Sequence, residues 1–450
     1  MAILTKSRFA CNARPQVVER KGGRDPRAGG APLSTDAPRT KAHGTAPFDA
    51  SLGIYAKSKN KPVNVDPETG EILGLDPMGT RVQRFILQSV ARSFFPKSRL
   101  DKCLRLRSSS QDIEVWKSVE HKTTHFKGLQ TCGSVWRCPV CSAKIAERRR
   151  AEILHAMQAH KLLGGCVNLL TLTCPHRQQD DLAELLEKQA KAINGFFNDR
   201  PVKALLLQMG TIGKIKALEV THGRKSAHNN GWHPHYHLLM FQGAGDVSMA
   251  FDAQQMTDFQ VRLYLRWANA CKRAGLGEPS YAHGLKLDDG SKAANYVSKW
   301  GLEDEMTKGH TKKALHGETP FDFLRAYLVD AEDKQAAALF IEFARTFEGK
   351  RQLTWSKGLK ARYAVQEKTD EVLSEEADDK ALLLGSIMLE QWRDVLAVEG
   401  RAVVLSIAAA SGWDGVTAYL QQIRGAAQAP VKGLYMRGGA GSLDYAPLPS

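Results

Sequence analysis

The sequence predicts an α+β fold: a split βαβ unit with a mainly antiparallel central sheet and helices on one face, preceded by a cysteine-bearing segment and followed by a helical tail. Three observations predict it. Strand and helix patterns follow one another as β-α-β-β-α-β-α from Val167 to a helix opening near Ser291. A turn made of Asn229, Asn230 and Gly231 joins two of the strands directly, and four cysteines with metal-ligand spacing stand upstream.

Composition bounds the possibilities before any motif does. The 450 residues are 43% hydrophobic and 25% charged, ordinary for a globular protein, and the formal net charge of +15 points to a polyanionic partner, nucleic acid first and an anionic membrane surface second. No apolar run approaches the roughly 20 residues of a spanning helix, and MAILTKSRFA has too short an apolar core for a secretory signal. Glu19, Asp25 and Asp36 argue against a transit peptide, so the expected location is the cytoplasm.

Residues 1–80, rich in Gly, Pro, Ala, Lys and Arg, read as a disordered basic arm, either attracted to phosphates or simply solvated. From Arg81, VQRFILQSVARSFF spaces Val82, Phe85, Ile86, Val90 and Phe94 as one helix face requires. This helix and a cysteine knuckle make up segment 81–150. In Cys138-Pro139-Val140-Cys141 two thiolates turned by a proline can share one tetrahedral Zn²⁺, which needs four ligands. Cys132 is the natural third and Cys103 the choice for the fourth, with His121 and His125 as rivals; a redox dithiol is the other reading of the knuckle. In the helix that follows, Arg148, Arg149 and Arg150 face either DNA or water.

The core comes next. VNLLTLT (167–173) reads as a buried strand, Asp180 opens a helix to about Phe197 with Leu182, Leu185, Leu186 and Ile193 on one face, and IGKIKALEVTHG (212–223) is a second strand. The third strand, GWHPHYHLLMF (231–241), alternates, so His233, His235 and His237 share one face about 7 Å apart. The inner pair, His235 and His237, can reach one divalent ion. Pairing across the Asn-Asn-Gly turn brings Glu219 beside them, completing a nitrogen-and-oxygen site for Mg²⁺ or Mn²⁺ unless Glu219 bridges to Lys214 or Lys216 instead. A helix from Phe251 to Ala274 carries Phe259, Leu263, Trp267 and Cys271 at fours. After the short strand GLKLDD (284–289), Tyr296 and Lys299 stand three apart on a helix and can address one phosphate.

Further on, residues 301–349 look helical and RQLTW (351–355) looks like a strand. Arg351, Lys357, Lys360 and Arg362 form a basic stripe around Trp355, suited to backbone phosphates and a stacking ring or to a solvated turn. Residues 365–430 comprise an acidic linker and a tail read as two helices, LLLGSIMLEQWRDVLAVEG and AVVLSIAAASGWDGVTAYLQQI; 431–450, Gly- and Pro-rich, read as disordered.

In the order CGSVWRCPVCSAKIAERR, ALEVTHG, GWHPHYHLLMF, AANYVSKW and QLTWSKGLK, the chain resembles the HUH endonucleases, specifically the replication initiators of rolling-circle plasmids, from about Arg99 to Arg362. The resemblance implies an HUH nicking-joining domain over 151–364 and a metal-dependent endonuclease and strand transferase that cuts one strand of origin DNA. His235 and His237 would hold the ion, with Glu219 placed as third ligand and His233 orienting a ligand. Tyr296 would attack, leaving a 5′-phosphotyrosine and a 3′-OH primer before the strand is rejoined, and Lys299 would neutralise phosphate charge. One departure stands out: Lys292 occupies the position where single-tyrosine initiators carry a carboxylate for the terminating cleavage, leaving Asp288, Asp289 or a second subunit's tyrosine as substitutes. Single-stranded and origin DNA are the implied partners, with a host helicase another. A relaxase or single-tyrosine transposase would share the histidine pair, and a non-catalytic zinc-containing repressor would share the fold.

Overall fold

A computed structural model describes residues 77–119, 123–226, 229–243, 252–299, 317–375 and 380–426. The expected basic arm, apart from its last four residues, and segment 431–450 lie outside the described residues, as does His121.

The chain runs α1 (Pro77–Phe94), α2 (Arg99–Lys102), β1 (Ile113–Ser118), β2 (Thr124–Lys127), α3 (Pro139–Leu162), β3 (Cys166–Thr173), α4 (Leu182–Asn198), α5 (Arg200–Gln208), β4 (Thr211–His222), β5 (Trp232–Gln242), α6 (Ala253–Arg273), β6 (Leu285–Asp288) and α7 (Gly290–Lys299). It continues with α8 (Pro320–Val329), α9 (Lys334–Thr346), β7 (Leu353–Trp355), α10 (Leu359–Arg362), α11 (Asp370–Glu375), β8 (Ala381–Ile387), α12 (Leu389–Ala397) and α13 (Arg401–Ala426). Five strands form an antiparallel sheet in the order β6-β3-β5-β4-β7.

Local chemistry sets the element ends. Asp181 caps α4 through the Glu184 N–H, and a reciprocal capping box of Asp252 and Gln255 opens α6. At the β4–β5 turn Gly231 has φ +72, and a Cβ there would sit 2.8 Å from the Gln178 Cα, so both backbone conformation and space demand glycine. The Asn229 side-chain carbonyl accepts from the Gly231 N–H at 3.0 Å, which fixes the entry to β5.

The sheet is covered on both faces, which corrects the expectation of helices on one face. Tyr236, Leu238 and Met240 of β5, with Leu170 and Leu172 of β3, pack into the larger core with Leu185, Phe196, Leu263 and Trp267 of α4 and α6. The opposite face presents Leu239, Phe241, Val167 and Leu169 to Ile153 and Ala156 of α3 and to Ala293 and Val297 of α7. Strand alternation explains this: Leu239 and Phe241 follow the histidines on their own face and need apolar cover.

The tail is also not purely helical. LLLGSI, expected in a helix, lies in β8, antiparallel to β1 with Ile113 opposite Ile387 and Ser118 opposite Ala381, and makes a second sheet of order β2-β1-β8. Long-range pairing overrides local helix preference here, and Gly385 admits the Trp413 ring, which a Cβ would meet at 2.2 Å. Segments 81–150 and 365–430 therefore share one sheet. Helix α13 is long and apolar enough, by length and composition, to cross a membrane, unlike the sequence reading; its Val404, Leu405, Ala408, Val416 and Leu420 are buried in this structure. A non-helical Gly412 (φ 68) kinks it.

At the end of β4, His222 is 5% exposed, edge-on to Trp232 and Phe323, and its Nδ1 accepts the Arg224 N–H at 3.0 Å. Arg224 in turn forks Glu318 and Asp333, with contacts of 2.8–3.0 Å. Burial pushes His222 down to about 4, with Glu318 opposing and Arg224 adding to the shift. The unfolded chain binds this proton below about pH 6.5 and the folded chain only below about 4, so stability should fall as pH drops through that window, by on the order of 3 kcal/mol from this group. Urea midpoints at pH 7.5 and 4.5 should therefore diverge less in His222→Asn than in the native chain.

Candidate metal and nucleophile site

Strand register builds the site. Glu219 pairs directly with His235 and Ala217 with His237, so the carboxylate and the two inner imidazoles share one face. The Nε2 atoms of His235 and His237 lie 3.4 and 3.6 Å from Glu219 Oε2. Donors each about 2.1 Å from one ion stand roughly 3–3.5 Å apart, so this trio fits a shared divalent ion. The other ring nitrogens are already engaged: His235 Nδ1 meets the His233 carbonyl oxygen at 3.2 Å, and His237 Nδ1 meets Thr171 Oγ1 at 3.0 Å. These contacts hold each ring with Nε2 turned to Glu219.

Tyr296 completes the cluster. Ala293 and Val297 are fully buried against the sheet, which anchors α7 and sets Tyr296, one residue before Val297, at the rim. Its hydroxyl donates to Glu219 Oε1 at 2.5 Å, and its ring lies 4.6 Å from that of His237. The two carboxylate oxygens thus divide their work: Oε2 faces the imidazoles and Oε1 holds the phenol. Burial pushes the Glu219 carboxyl up, but the His235 hydrogen bond, the charges of His237 and His235 and the Tyr296 hydroxyl hold it at about 2. Lys214 and Lys216, the alternative partners of Glu219, lie over the Phe197 and Tyr236 rings instead.

His233 sits on the same face outside the trio. Its Nδ1 lies 3.2 Å from His176 Nε2, and burial followed by the neighbouring imidazoles pushes it down to about 3. Its contribution to the orientation of His235 runs through its main-chain carbonyl. His176 and Thr171 escaped the sequence reading because neither belongs to a motif; only the β3–β5 register, with Thr171 opposite His237, would have found the latter. Lys299 ends α7, and its side chain lies outside the described residues. Asp289 caps α7, accepting from the Ser291 and Lys292 N–H groups at 2.9 and 3.3 Å. Asp288 lies on the histidine face of β6, 3.3 Å from Lys286.

The four cysteines converge. Cys103, Cys132, Cys138 and Cys141 are all buried, with Sγ separations of 3.9 Å (103–138), 3.5 Å (103–141) and 3.6 Å (132–141). A tetrahedral zinc site with sulfur at about 2.3 Å needs sulfurs roughly 3.8 Å apart, whereas a disulfide needs about 2.05 Å, so the set fits a metal. Cys138 caps α3, its Sγ accepting the Cys141 N–H at 3.4 Å, and Pro139 supplies the first helical residue. Burial alone would raise the Cys138 thiol, but hydrogen bonds from the other three cysteines hold it well below its ordinary value. His125 stands in β2 opposite Trp116 and is not in the cluster.

The basic stripe divides. Arg351, Lys357 and Arg362 are exposed. Lys360 is a correction: it is 5% exposed, paired with Glu152 at 3.5 Å and Glu367 at 3.4 Å beneath the Trp355 ring, so a phosphate would have to displace two carboxylates to reach it. Trp355 is partly buried against the smaller core. Arg149 is likewise structural, bonding Glu152 and Asp370 at 3.0 and 2.9 Å.

Residues 124–245 match a family model described as a replication protein. That stretch includes Cys132, Cys138, Cys141, Glu219 and the three histidines of β5, and leaves out Cys103 and Tyr296. The chain is 26% identical over 359 residues to a "Protein rep" of Streptomyces lividans, covering 64% of this chain and 76% of that one. It is 31% identical over 140 residues to a "Neomycin resistance protein" of Streptomyces cyanogenus, covering 26% and 31% respectively. No solved structure matches it.

Thr171→Val keeps the shape of β3 but removes the His237 partner. It should weaken Mn²⁺ binding by about 10–100-fold in calorimetric titration, with the melting temperature of the metal-free chain nearly unchanged.

Proposed function

We propose that this chain, whose residues 124–245 match the replication-protein family model, is a plasmid replication initiator of the HUH type that nicks one strand at a rolling-circle origin. The observation that carries the proposal is the 2.5 Å hydrogen bond from the Tyr296 hydroxyl to a carboxylate whose other oxygen faces two imidazoles. A tyrosine nucleophile beside a three-donor site suits phosphoryl transfer.

Glu219, His235 and His237 would hold Mn²⁺ or Mg²⁺, which when bound polarises a scissile phosphate. Held at about 2, the Glu219 carboxylate is far too weak a base to strip a phenol of ordinary pKa near 10, so its part is to aim the hydroxyl. The Tyr296 oxygen bonds to phosphorus as the bond to the 3′ oxygen breaks. The phenolic proton finishes, through water, on that oxygen, giving a 5′-phosphotyrosine and a free 3′-OH primer. Lys299, in the last turn of α7, neutralises charge on the phosphate; Arg351, Lys357 and Arg362 hold the backbone of the strand. Rejoining reverses the step. For the terminating cleavage, Asp288, on the histidine face of β6, or a second subunit's tyrosine would serve, while Asp289 caps α7. Cys103, Cys132, Cys138 and Cys141 would hold a structural Zn²⁺. The setting is the cytoplasm, with origin DNA and a host helicase as partners.

Labelled single-stranded oligonucleotides tiling the origin, incubated with Mn²⁺ and the full chain, test this. The native chain should cleave and Tyr296→Phe should lose at least a thousandfold in cleavage while retaining binding; equal cleavage by both would refute the nucleophile. A repressor or a relaxase is told apart in the same assay, by absence of cleavage and by preference for a transfer origin respectively.

A further inference from the structure

Four thiolates around one divalent ion leave two negative charges in a buried place, and such charge requires donors and counter-charge nearby. Main-chain N–H groups supply part: Cys132 to Cys103 Sγ and Cys141 to Cys138 Sγ, each 3.4 Å. The rest comes from outside the knuckle. Gln88 of α1, 1% exposed, donates from Nε2 to Cys138 Sγ at 3.2 Å. Its Oε1 accepts from the guanidinium of Arg401, also 1% exposed, at 2.8 Å.

Arg401 opens α13, more than 250 residues after the last cysteine ligand, Cys141. It also bonds Ser89 Oγ at 3.2 Å, Glu399 at 3.0 Å and, at 3.4 Å, the carbonyl of Leu104, the residue after Cys103. Glu399 is shared with Arg105 at 2.8 Å, so two arginines face one carboxylate and a positive charge remains beside the cysteines. Leu104 takes φ 52, unusual for a non-glycine residue, held by its N–H on the Gln130 carbonyl at 2.7 Å and its own carbonyl on Arg401. The Trp392 Nε1–H adds a 2.7 Å bond to the Arg105 carbonyl.

We infer that Gln88 and Arg401 are positioning and charge-balancing residues of the four-cysteine site, and that metal loading there is coupled to docking of the C-terminal elements: α13 on α1, β8 on β1, and Trp392 of α12 on Arg105. The inference rests on the proposed zinc role of the four cysteines and is independent of the nicking chemistry. Loading fixes Cys103, and through it Leu104 and Arg105, the points at which Trp392, Glu399 and Arg401 take hold. Without the ion nothing ties Cys103 to Cys132, Cys138 and Cys141, and the segment carrying Leu104 and Arg105 loses its anchor beneath the C-terminal elements.

The test uses the full chain. Zinc content is measured first, zinc affinity is then measured by chelator competition in native, Gln88→Met and Arg401→Met chains, and hydrogen exchange is followed before and after zinc removal from the native chain. Each substitution should weaken zinc binding by about 10–100-fold. Stripping zinc should speed exchange in residues 401–411 and in β8 at least tenfold, with β3 and β5 unchanged. Native zinc affinity in Gln88→Met, or unaltered exchange in α13 after confirmed zinc loss, overturns the coupling and leaves the zinc reading standing. A native chain that retains no zinc overturns both. If Arg401→Met does not fold, Gln88→Met and the native exchange data decide.

Discussion

The direct pairing of Glu219 with His235 across the β4–β5 hairpin is the constraint on which the site depends. Because side chains alternate, a slip of one residue would carry Glu219 to the face of Tyr236 and Leu238 and bury an unpaired carboxylate in the larger core. The turn prevents that slip. Gly231 has no room for a side chain and Asn229 caps its N–H, so the register that joins Glu219 to the histidines is fixed within a few residues of where it is used.

Orientation is a second layer, supplied by residues outside the Glu219, His235 and His237 trio. Thr171 on β3 and the His233 carbonyl on β5 take up the Nδ1 positions, leaving Nε2 of both rings toward one carboxylate oxygen. The apolar cover of the same face does the positioning of Tyr296: Ala293 and Val297 are seated on Val167, Leu169 and Leu239, and the tyrosine between them reaches the other oxygen. Covering the histidine face with helices is therefore part of building the site, since a one-sided sheet would have nothing to hold Tyr296 over it.

Much of this was legible in the sequence where the signal is short-range. Alternation in GWHPHYHLLMF placed the three histidines, the Asn-Asn-Gly turn placed Glu219, and the proline-turned cysteine pair found the knuckle, with Cys103 and Cys132 brought to it as expected. Long-range packing was not legible. LLLGSI reads as part of a helix until β1 is beside it; Lys360 reads as a surface cation until Glu152, two hundred residues earlier, is folded against it; Thr171 and His176 carry no motif at all. Local pattern cannot report a partner that only the fold supplies.

The N-terminal cysteine segment and the C-terminal elements are joined by β1–β8 pairing and by Arg401 on Gln88, so that the tail is integral to the part of the chain that carries the cysteine knuckle. The central claim nevertheless concerns one oxygen atom. Protease digestion of the complex formed between the full chain and a single-stranded origin oligonucleotide, followed by mass spectrometry of the nucleotide-bearing peptide, tests it most directly. The account predicts a nucleotide 5′-phosphate on Tyr296; a modification on any other residue, or cleavage that leaves no covalent peptide, would contradict it.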